Sequence, residues 1–424
     1  PLALLPDESA ALFVPQARVI GDTTPAQIHA VSFKTGKVSV VGPGVAASVL
    51  PSGQLLRTTA DGTVYLTPFD SRTLRMTGTG TPIARVALGA NSGNRTYPQI
   101  SIAENGTMIY LAGQLQRRRL AWLDASGHAG PSTDIAGYFW GFTLSPDGSQ
   151  VAFSLDPSDK EPTTAGGRVR ADVFVEQLTT GVRTRLTSSY MNLRPSWSAD
   201  GKYVLWARIG GASPQSMDER LADASAPERM VLSETAFGHS IGDGHWLPNH
   251  RTMMVATYAD GPTSHDIYDI TPATDSAPHP FAVLAGDQVT PTPSPDGSLI
   301  AYRSGETSGP SDLYVQPFSS GTTRLQVSNG GASAGRWSHD GRTLYYWDQR
   351  GKLMAATIQI KPTLAVASTR EIGGHNELFG GAPSASMFDV APDGRILVAE
   401  DVPGAFQMIL VRNWMAGMAQ GGKR

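Results

Sequence analysis

The chain has 424 residues, 17% of them charged, a formal net charge of −3 and no cysteine. The absence of thiols excludes disulfides, thiol catalysis and thiolate metal sites, and the weak, nearly balanced charge argues against a polyanionic partner. Forty-six glycines and thirty prolines suit a turn-dense all-β chain, and no apolar run approaches the ~20 residues of a membrane-crossing helix. The chain opens on Pro rather than Met, which reads as a processed or truncated product from which a signal peptide or anchor has been removed.

Taken in order, the sequence is a series of short strands separated by turns. Leu5-Pro6-Asp7-Glu8 is a degenerate opening turn, followed by a strand at 27–31 and a turn at Thr35-Gly36. Leu50-Pro51-Ser52-Gly53 and Ala103-Glu104-Asn105-Gly106 are further weak copies, with alternating strands at 63–69 and 120–124 between and after them. The pattern then sharpens. Ser145-Pro146-Asp147-Gly148, Ser198-Ala199-Asp200-Gly201, Ser294-Pro295-Asp296-Gly297, Ser338-His339-Asp340-Gly341 and Ala391-Pro392-Asp393-Gly394 each precede a short apolar strand, and Leu247-Pro248-Asn249-His250 is a variant. Asp-Gly makes a tight turn because Gly accepts positive φ and Asp bonds its own backbone.

The turn positions 53, 106, 148, 201, 250, 297, 341 and 394 recur every 42 to 53 residues. That is the period of a four-stranded propeller blade. Each repeat reads as strand, Asp-Gly turn, strand, loop, strand, turn, strand. Such a meander cannot bury both of its faces alone, and ring packing of like sheets solves the problem. The expected fold is therefore an all-β propeller of about eight four-stranded antiparallel blades, with six, seven or two smaller rings as alternatives. It spans residues 1–414 as one domain, with 415–424 as a flexible tail. Strands near both termini are expected at the closing seam. Two insertions break the repeat: a polar loop from Asp156 to Arg170, and Gly210 to Arg229, whose centre from Met217 to Ala224 predicts a short helix.

The Ser-Pro-Asp-Gly units resemble the WD40-like repeats of TolB-type propellers. A closer resemblance is to the propeller region of bacterial serine/threonine-kinase-like proteins, carried by Leu50–Gly53, Val64–Asp70, Leu313–Phe318, Gln326–Gly331 and Leu410–Trp414. The resemblance implies a bacterial, extracytoplasmic propeller with protein partners and no active site of its own. No kinase domain is present, since the Gly-rich loop and the His-Arg-Asp catalytic loop are both missing.

Several residues invite a chemical reading. Gly238-His239-Ser240-Ile241-Gly242 matches the nucleophile-elbow pattern, but an elbow needs a strand before it and a helix after it, and an extended segment follows here. His239, Asp243, His245 and His250 are close in sequence, yet their spacing does not present a metal face on one strand. Asp156, Asp159 and Glu161 lack the spacing of a calcium loop. The recurring Asp-Gly carboxylates read as turn formers, and Trp197, Trp206, Trp246, Trp337, Tyr302 and Tyr346 as inter-blade packing. Gln116-Arg117-Arg118-Arg119 is the one basic cluster and reads as a solvated edge.

No catalytic, cofactor-binding or metal residue is therefore assigned, and no cofactor. The function expected is a non-catalytic scaffold binding other proteins on the extracytoplasmic, periplasmic side of a membrane assembly (envelope, respiratory or photosynthetic), with no nucleic-acid partner and no membrane span. The alternatives are a ligand-sensing ectodomain of a kinase-like receptor and a propeller hydrolase or lyase. The last would need titratable residues converging on the central channel.

Overall fold

The computed structural model describes residues 2–15, 26–90, 96–103, 107–113, 117–157, 171–188, 191–209, 214–257, 265–305, 310–319, 323–373, 387–402, 406–412 and 414. The described residues fall into two compact units, one built from those up to 117 and from 402 onward, the other from those between 118 and 401.

The larger unit contains six four-stranded antiparallel sheets. Their innermost strands are Phe139–Leu144, Met191–Trp197, Ile241–Trp246, Asp287–Pro293, Arg336–Trp337 and Phe388–Val390. Each touches the next, and the last touches the first, so the sheets form a closed ring. This is a β-propeller. Counting from Phe139, the first five blades are built in chain order, and the sixth is composite. Its inner strands, Phe388–Val390 and Ile396–Asp401, pair with Arg118–Leu123 and Ala129–Gly137 from the start of the unit. Leu120 faces Ala399 and Leu123 faces Ile396 across this seam. Joining the two ends of a ring in one sheet leaves no open edge there.

This ring has six blades, one of the expected counts. Six turn units, those at 148, 201, 250, 297, 341 and 394, belong to its six blades, while the weaker copies at Asp7-Glu8 and 53 lie in the other unit. Residues 104–106 of the copy before Thr107, and the 415–424 tail, lie outside the described residues.

Apolar cores sit between neighbouring blades. Leu120 and Leu397 pack on Phe142 and Phe153 between the sixth and first blades, Val173 and Val175 on Val204 and Trp206 between the first and second. Leu313 and Val315 pack on Trp337 and Leu344 between the fourth and fifth. Each fully buried side chain of this size stabilises by about 1.5–3 kcal/mol relative to exposure, and none of that is available to a lone sheet.

The turn motif has a mechanical explanation. Ser145 Oγ donates to Asp147 at 2.5 Å and accepts from the Gln150 amide at 2.9 Å. The same clasp recurs at Ser198–Asp200 (2.6 Å), Ser294–Asp296 (2.6 Å) and Ser338–Asp340 (2.6 Å). Hydrogen bonds to these carboxylates, chiefly from the serine, hold Asp147, Asp200, Asp296 and Asp340 below the usual carboxylate range. The glycine is required twice over. Gly148 and Gly297 have φ of 71°, and a Cβ on either would stand 2.7 Å from the ring of Pro392 or Pro248, the turn proline of the preceding blade. The Pro392–Gly148 contact carries this arrangement from the sixth blade to the first. The tryptophans act as pins: Trp197 Nε1 donates to Thr143 O at 3.1 Å and Trp337 Nε1 to Thr292 O at 3.0 Å, each reaching the preceding blade.

The segment from Met217 to Ala224, expected as a helix, is instead mostly the strand Ser216–Leu221 of the second blade. Its helix-favouring residues are overridden by burial. Glu219 is fully buried and held by the Arg229 guanidinium, Trp246 Nε1 at 2.9 Å and His250 Nε2 at 3.1 Å. The helix found among the described residues is Glu234–Phe237, capped by Ser233 Oγ, which accepts from the Ala236 amide.

The smaller unit holds two four-stranded sheets, one from Leu2–Leu4, Ala10–Phe13, Gln27–Ser32 and Val38–Pro43, the other from Ala46–Val49, Leu55–Thr58, Thr63–Thr67 and Thr81–Arg85. A three-stranded sheet joins Ile100–Ile102 and Met108–Gly113 to the C-terminal strand Phe406–Val411. Leu4, Val49, Leu56, Ile100 and Ile102 line an apolar cleft of about 490 Å³ in this unit.

Candidate functional site

The inner strands of the six blades line the axis of the larger unit. Aligned on their turns, the residue five positions before each turn glycine or its equivalent is Thr143, Ser196, His245, Thr292, Arg336 and Asp389. Every member of this column is polar, although each lies beside apolar core residues. Two positions earlier stand Gly141, Arg194, Asp243, Thr290, Ala334 and Met387. β-Bulges in the first four inner strands fall in this stretch. Arg194 and Thr290 pay for the bulge with left-handed backbone, φ 53° and 57°. A bulge re-aims side chains, and left-handed non-glycine residues cluster where geometry serves a site.

The column residues reach from blade to blade. Thr143 Oγ1 and the Leu144 amide donate to Asp389 Oδ2 at 2.8 and 2.7 Å, and the Val390 amide donates to Asp389 Oδ1 at 2.9 Å. Arg336 stands 3.9 Å from Asp389 and donates to Thr292 Oγ1 at 3.4 Å. Asp243 lies 3.9 Å from Arg194 and 3.7 Å from His245. These ion pairs are loose compared with a bidentate contact.

His245 sits where charges from four blades converge. Burial pushes its pKa below the ordinary value of 6.5; Asp243 opposes this, Arg336 pushes further down, Asp389 opposes and Arg194 pushes down. Its neutral form is the favoured one. Arg303, on the second strand of the fourth blade, is also disfavoured as a cation by burial, with Asp287 opposing and Arg194 adding to the effect.

Other sequence candidates do not gather here. Ser240 follows the short helix, whose C-cap Gly238 is left-handed, and precedes the strand Ile241–Trp246. That is the reverse order of a nucleophile elbow. His239 stacks on Tyr268 at 4.7 Å, and His250 sits edge-on to Trp246 at 4.8 Å, so the three histidines serve three places. Ser196 Oγ donates to Gly244 O at 3.1 Å rather than to His245. Asp156 is buried, while Asp159 and Glu161 lie outside the described residues. No group of three or more His, Asp or Glu side chains among the described residues is placed to hold a metal ion. Arg118 and Arg119 pair across the seam with Asp401 at 3.1 Å and Glu400 at 2.5 Å, which neutralises most of the basic cluster; Gln116 lies outside the described residues. No helix among the described residues is long and apolar enough to cross a membrane.

The polar column has no contiguous motif, because its members lie one per repeat. Its signal runs across the repeats: stacking them on their Asp-Gly turns exposes a wholly polar column in strands that otherwise feed the core.

No family model matches the chain, and no curated protein matches it. Among solved structures it is similar to a putative TolB from Agrobacterium tumefaciens (13% identity, 68% of this chain and 99% of that one, TM-score 0.48). It is also similar to TolB from Acinetobacter baumannii (13% identity, 84% and 79%, TM-score 0.43). A third likeness is to a puromycin hydrolase (15% identity, TM-score 0.38), of which this chain spans 57%. These are likenesses of fold. The propeller itself rests on the six sheets and their seam.

Proposed function

We propose that the six-bladed unit is a binding module without catalytic machinery of its own, presenting a rigid rim to a protein partner on the extracytoplasmic side of a membrane assembly. The observation that carries this reading is how the recurrent polar residues are used. The turn Asp and Ser clasp their own turns, the Trp donors pin neighbouring blades, and the buried carboxylate of Glu219 is saturated by Arg229, Trp246 and His250. What varies from blade to blade is the loops on this stiff frame, where binding commonly resides. The test is purification from native envelope under mild detergent. The reading expects the protein to elute in a stoichiometric complex; elution alone, together with acylation of Ser240 by an active-site serine probe, would sink it.

A second reading, a ligand-sensing ectodomain of a kinase-like receptor, is favoured by the axial cluster. A scaffold has no need of Arg194, Asp243, His245, Arg336 and Asp389 as charged or titratable side chains on the inner strands.

A further inference from the structure

We propose that a cleft between the second and third blades receives an acidic, apolar segment of the partner protein, with an apolar side chain against Met230 and a carboxylate on Arg251. The proposal rests on the scaffold reading and names the place on the rim where the partner docks.

The repeat breaks at this junction from both sides. A Cβ on Gly148, Gly201, Gly297 or Gly341 would meet the turn proline of the preceding blade. Between the second and third blades both members of that contact are replaced: Ala199 stands for the proline and His250 for the glycine. His250 keeps the left-handed backbone, with φ of 49°, which a glycine would adopt without strain. A side chain there costs about 1–2 kcal/mol, and its contacts offset that cost. Its Nε2 lies 3.1 Å from Glu219 Oε2, and its ring sits edge-on to Trp246 at 4.8 Å and 5.1 Å from Tyr203.

Trp246 and His250 line a cleft of about 460 Å³. Arg229 and Met230, on the outer strand Arg229–Ser233 of the second blade, form one wall, and Arg251 and Ala273 of the third blade stand opposite. Met230 is 60% exposed, a large apolar side chain left to solvent beside a buried indole. Trp, Met and Arg are the residue types that fill the centres of protein interfaces. A small-ligand site encloses most of its ligand. Here the Met230 and Arg229 side chains stay open at the rim, which suits a segment of a larger partner that buries further surface around the cleft.

The charge of the partner follows from the surroundings. The carboxylates near the cleft are already engaged. Glu219 is taken up by Arg229, Trp246 Nε1 and His250. Asp275, beside the wall, accepts from the Thr271 amide at 2.6 Å, and Asp200 accepts from Ser198 Oγ and the Lys202 amide. Arg251 is exposed and has no ion-pair partner among the described residues. A basic segment would meet two guanidinium groups of its own sign, whereas an Asp or Glu completes a charge-assisted pair with Arg251.

The test is fluorescence anisotropy of the full chain with three fluorescein-labelled, amidated hexapeptides: Asp-Glu-Leu-Phe-Asp-Glu, its basic counterpart Lys-Arg-Leu-Phe-Lys-Arg, and the apolar-free Asp-Glu-Ser-Gly-Asp-Glu. The proposal expects saturable binding of the first, with the other two weaker by about tenfold or more. Arg251→Glu, on an exposed side chain, should weaken the first about tenfold or more, as loss of a charge-assisted pair implies. Met230→Ser should weaken it about threefold or more through lost apolar contact. No saturable binding of the first peptide, equal binding of either control, or undiminished binding in Arg251→Glu overturns the proposal. A dimer in sedimentation velocity that Arg251→Glu abolishes would make the occupant a second copy of this chain, and overturns the acidic partner. The same variant tells this failure from that of the scaffold reading. A partner that co-elutes from native envelope equally with wild type and Arg251→Glu removes the cleft and leaves the scaffold. Peptide binding with no co-eluting partner removes the scaffold and leaves the cleft.

Discussion

Two strand pairings join distant parts of this chain, and they are built differently. In the ring, Arg118–Leu123 pairs with Ile396–Asp401; Leu120, Ile396, Leu397, Val398 and Ala399 are all fully buried, and two arginines clamp the upper end. In the smaller unit, Met108–Gly113 pairs with Phe406–Val411, an edge strand on which Met408 is 70% and Leu410 54% exposed. The hydrogen-bond ladder is the same kind in both. The difference is what covers the faces: the seam lies between two neighbouring blades, whereas the outer strand of the other pairing carries Met408 and Leu410 toward solvent. Strand pairing alone stabilises little, and the apolar cover on both faces supplies the remainder.

The largest expected effect tests that contrast directly. Leu397→Ala removes a fully buried side chain from the seam and should cost about 2–5 kcal/mol in denaturant unfolding. Leu410→Ala, on the exposed strand, should stay within about 0.5 kcal/mol. Equal losses from the two would break the comparison.

A smaller effect is expected at the turns. Gly297→Ala combines left-handed backbone with a Cβ pressed on Pro248 and should cost about 2–4 kcal/mol. Gly53→Ala in the smaller unit has a similar φ of 80° but open space around it, and should cost only about 1–2 kcal/mol. Matching values in chemical denaturation would show that the proline contact does nothing. Trp337→Phe keeps the ring in place but loses the donor to Thr292 O, for about 1 kcal/mol; an unchanged midpoint would remove the pin from the account.

The smallest effect is a pH dependence. His245 is harder to protonate folded than unfolded, so the unfolded chain binds more protons as pH falls below about 6.5, and stability declines in that window. His245→Gln should flatten the decline that begins as pH falls below about 6.5. The turn aspartates act in the same sense but in a more acidic window. Their folded pKa values are lowered, so their contribution is present above the ordinary 3.8 and is lost as pH falls below it. A single acid transition, identical in wild type and His245→Gln, would count against His245 as the origin of the milder phase.

The ring's architecture was legible because the Ser-x-Asp-Gly clasp is local: every atom it needs lies within six residues of chain, as at Ser145–Gln150. Its period announced the blades. The division between the two units was not legible, because the degenerate copies still read as turns, although Asp7-Glu8 has Glu8 in place of the glycine and a Cβ on Gly53 would meet no other residue. The strand Ser216–Leu221 read as helix for a related reason. Met-Asp-Glu-Arg-Leu has good helix propensity, and only long-range partners, Arg208 for Asp218 and Arg229 for Glu219, reveal that its charges are buried. Thr143 and Asp389 lie more than two hundred residues apart, and nothing in either neighbourhood names the other.

The composite sixth blade also bears on how the protein is made. Its strand Arg118–Leu123 leaves the ribosome early, and the partner beginning at Ile396 follows only after some 270 further residues. At roughly 5–20 residues per second that is on the order of tens of seconds, during which Leu120, Trp122 and Leu123 have no strand to pair with on that side. The nascent chain therefore carries an adhesive edge for most of its synthesis, and a release factor acting anywhere before residue 401 leaves behind an open spiral prone to stick to its own kind.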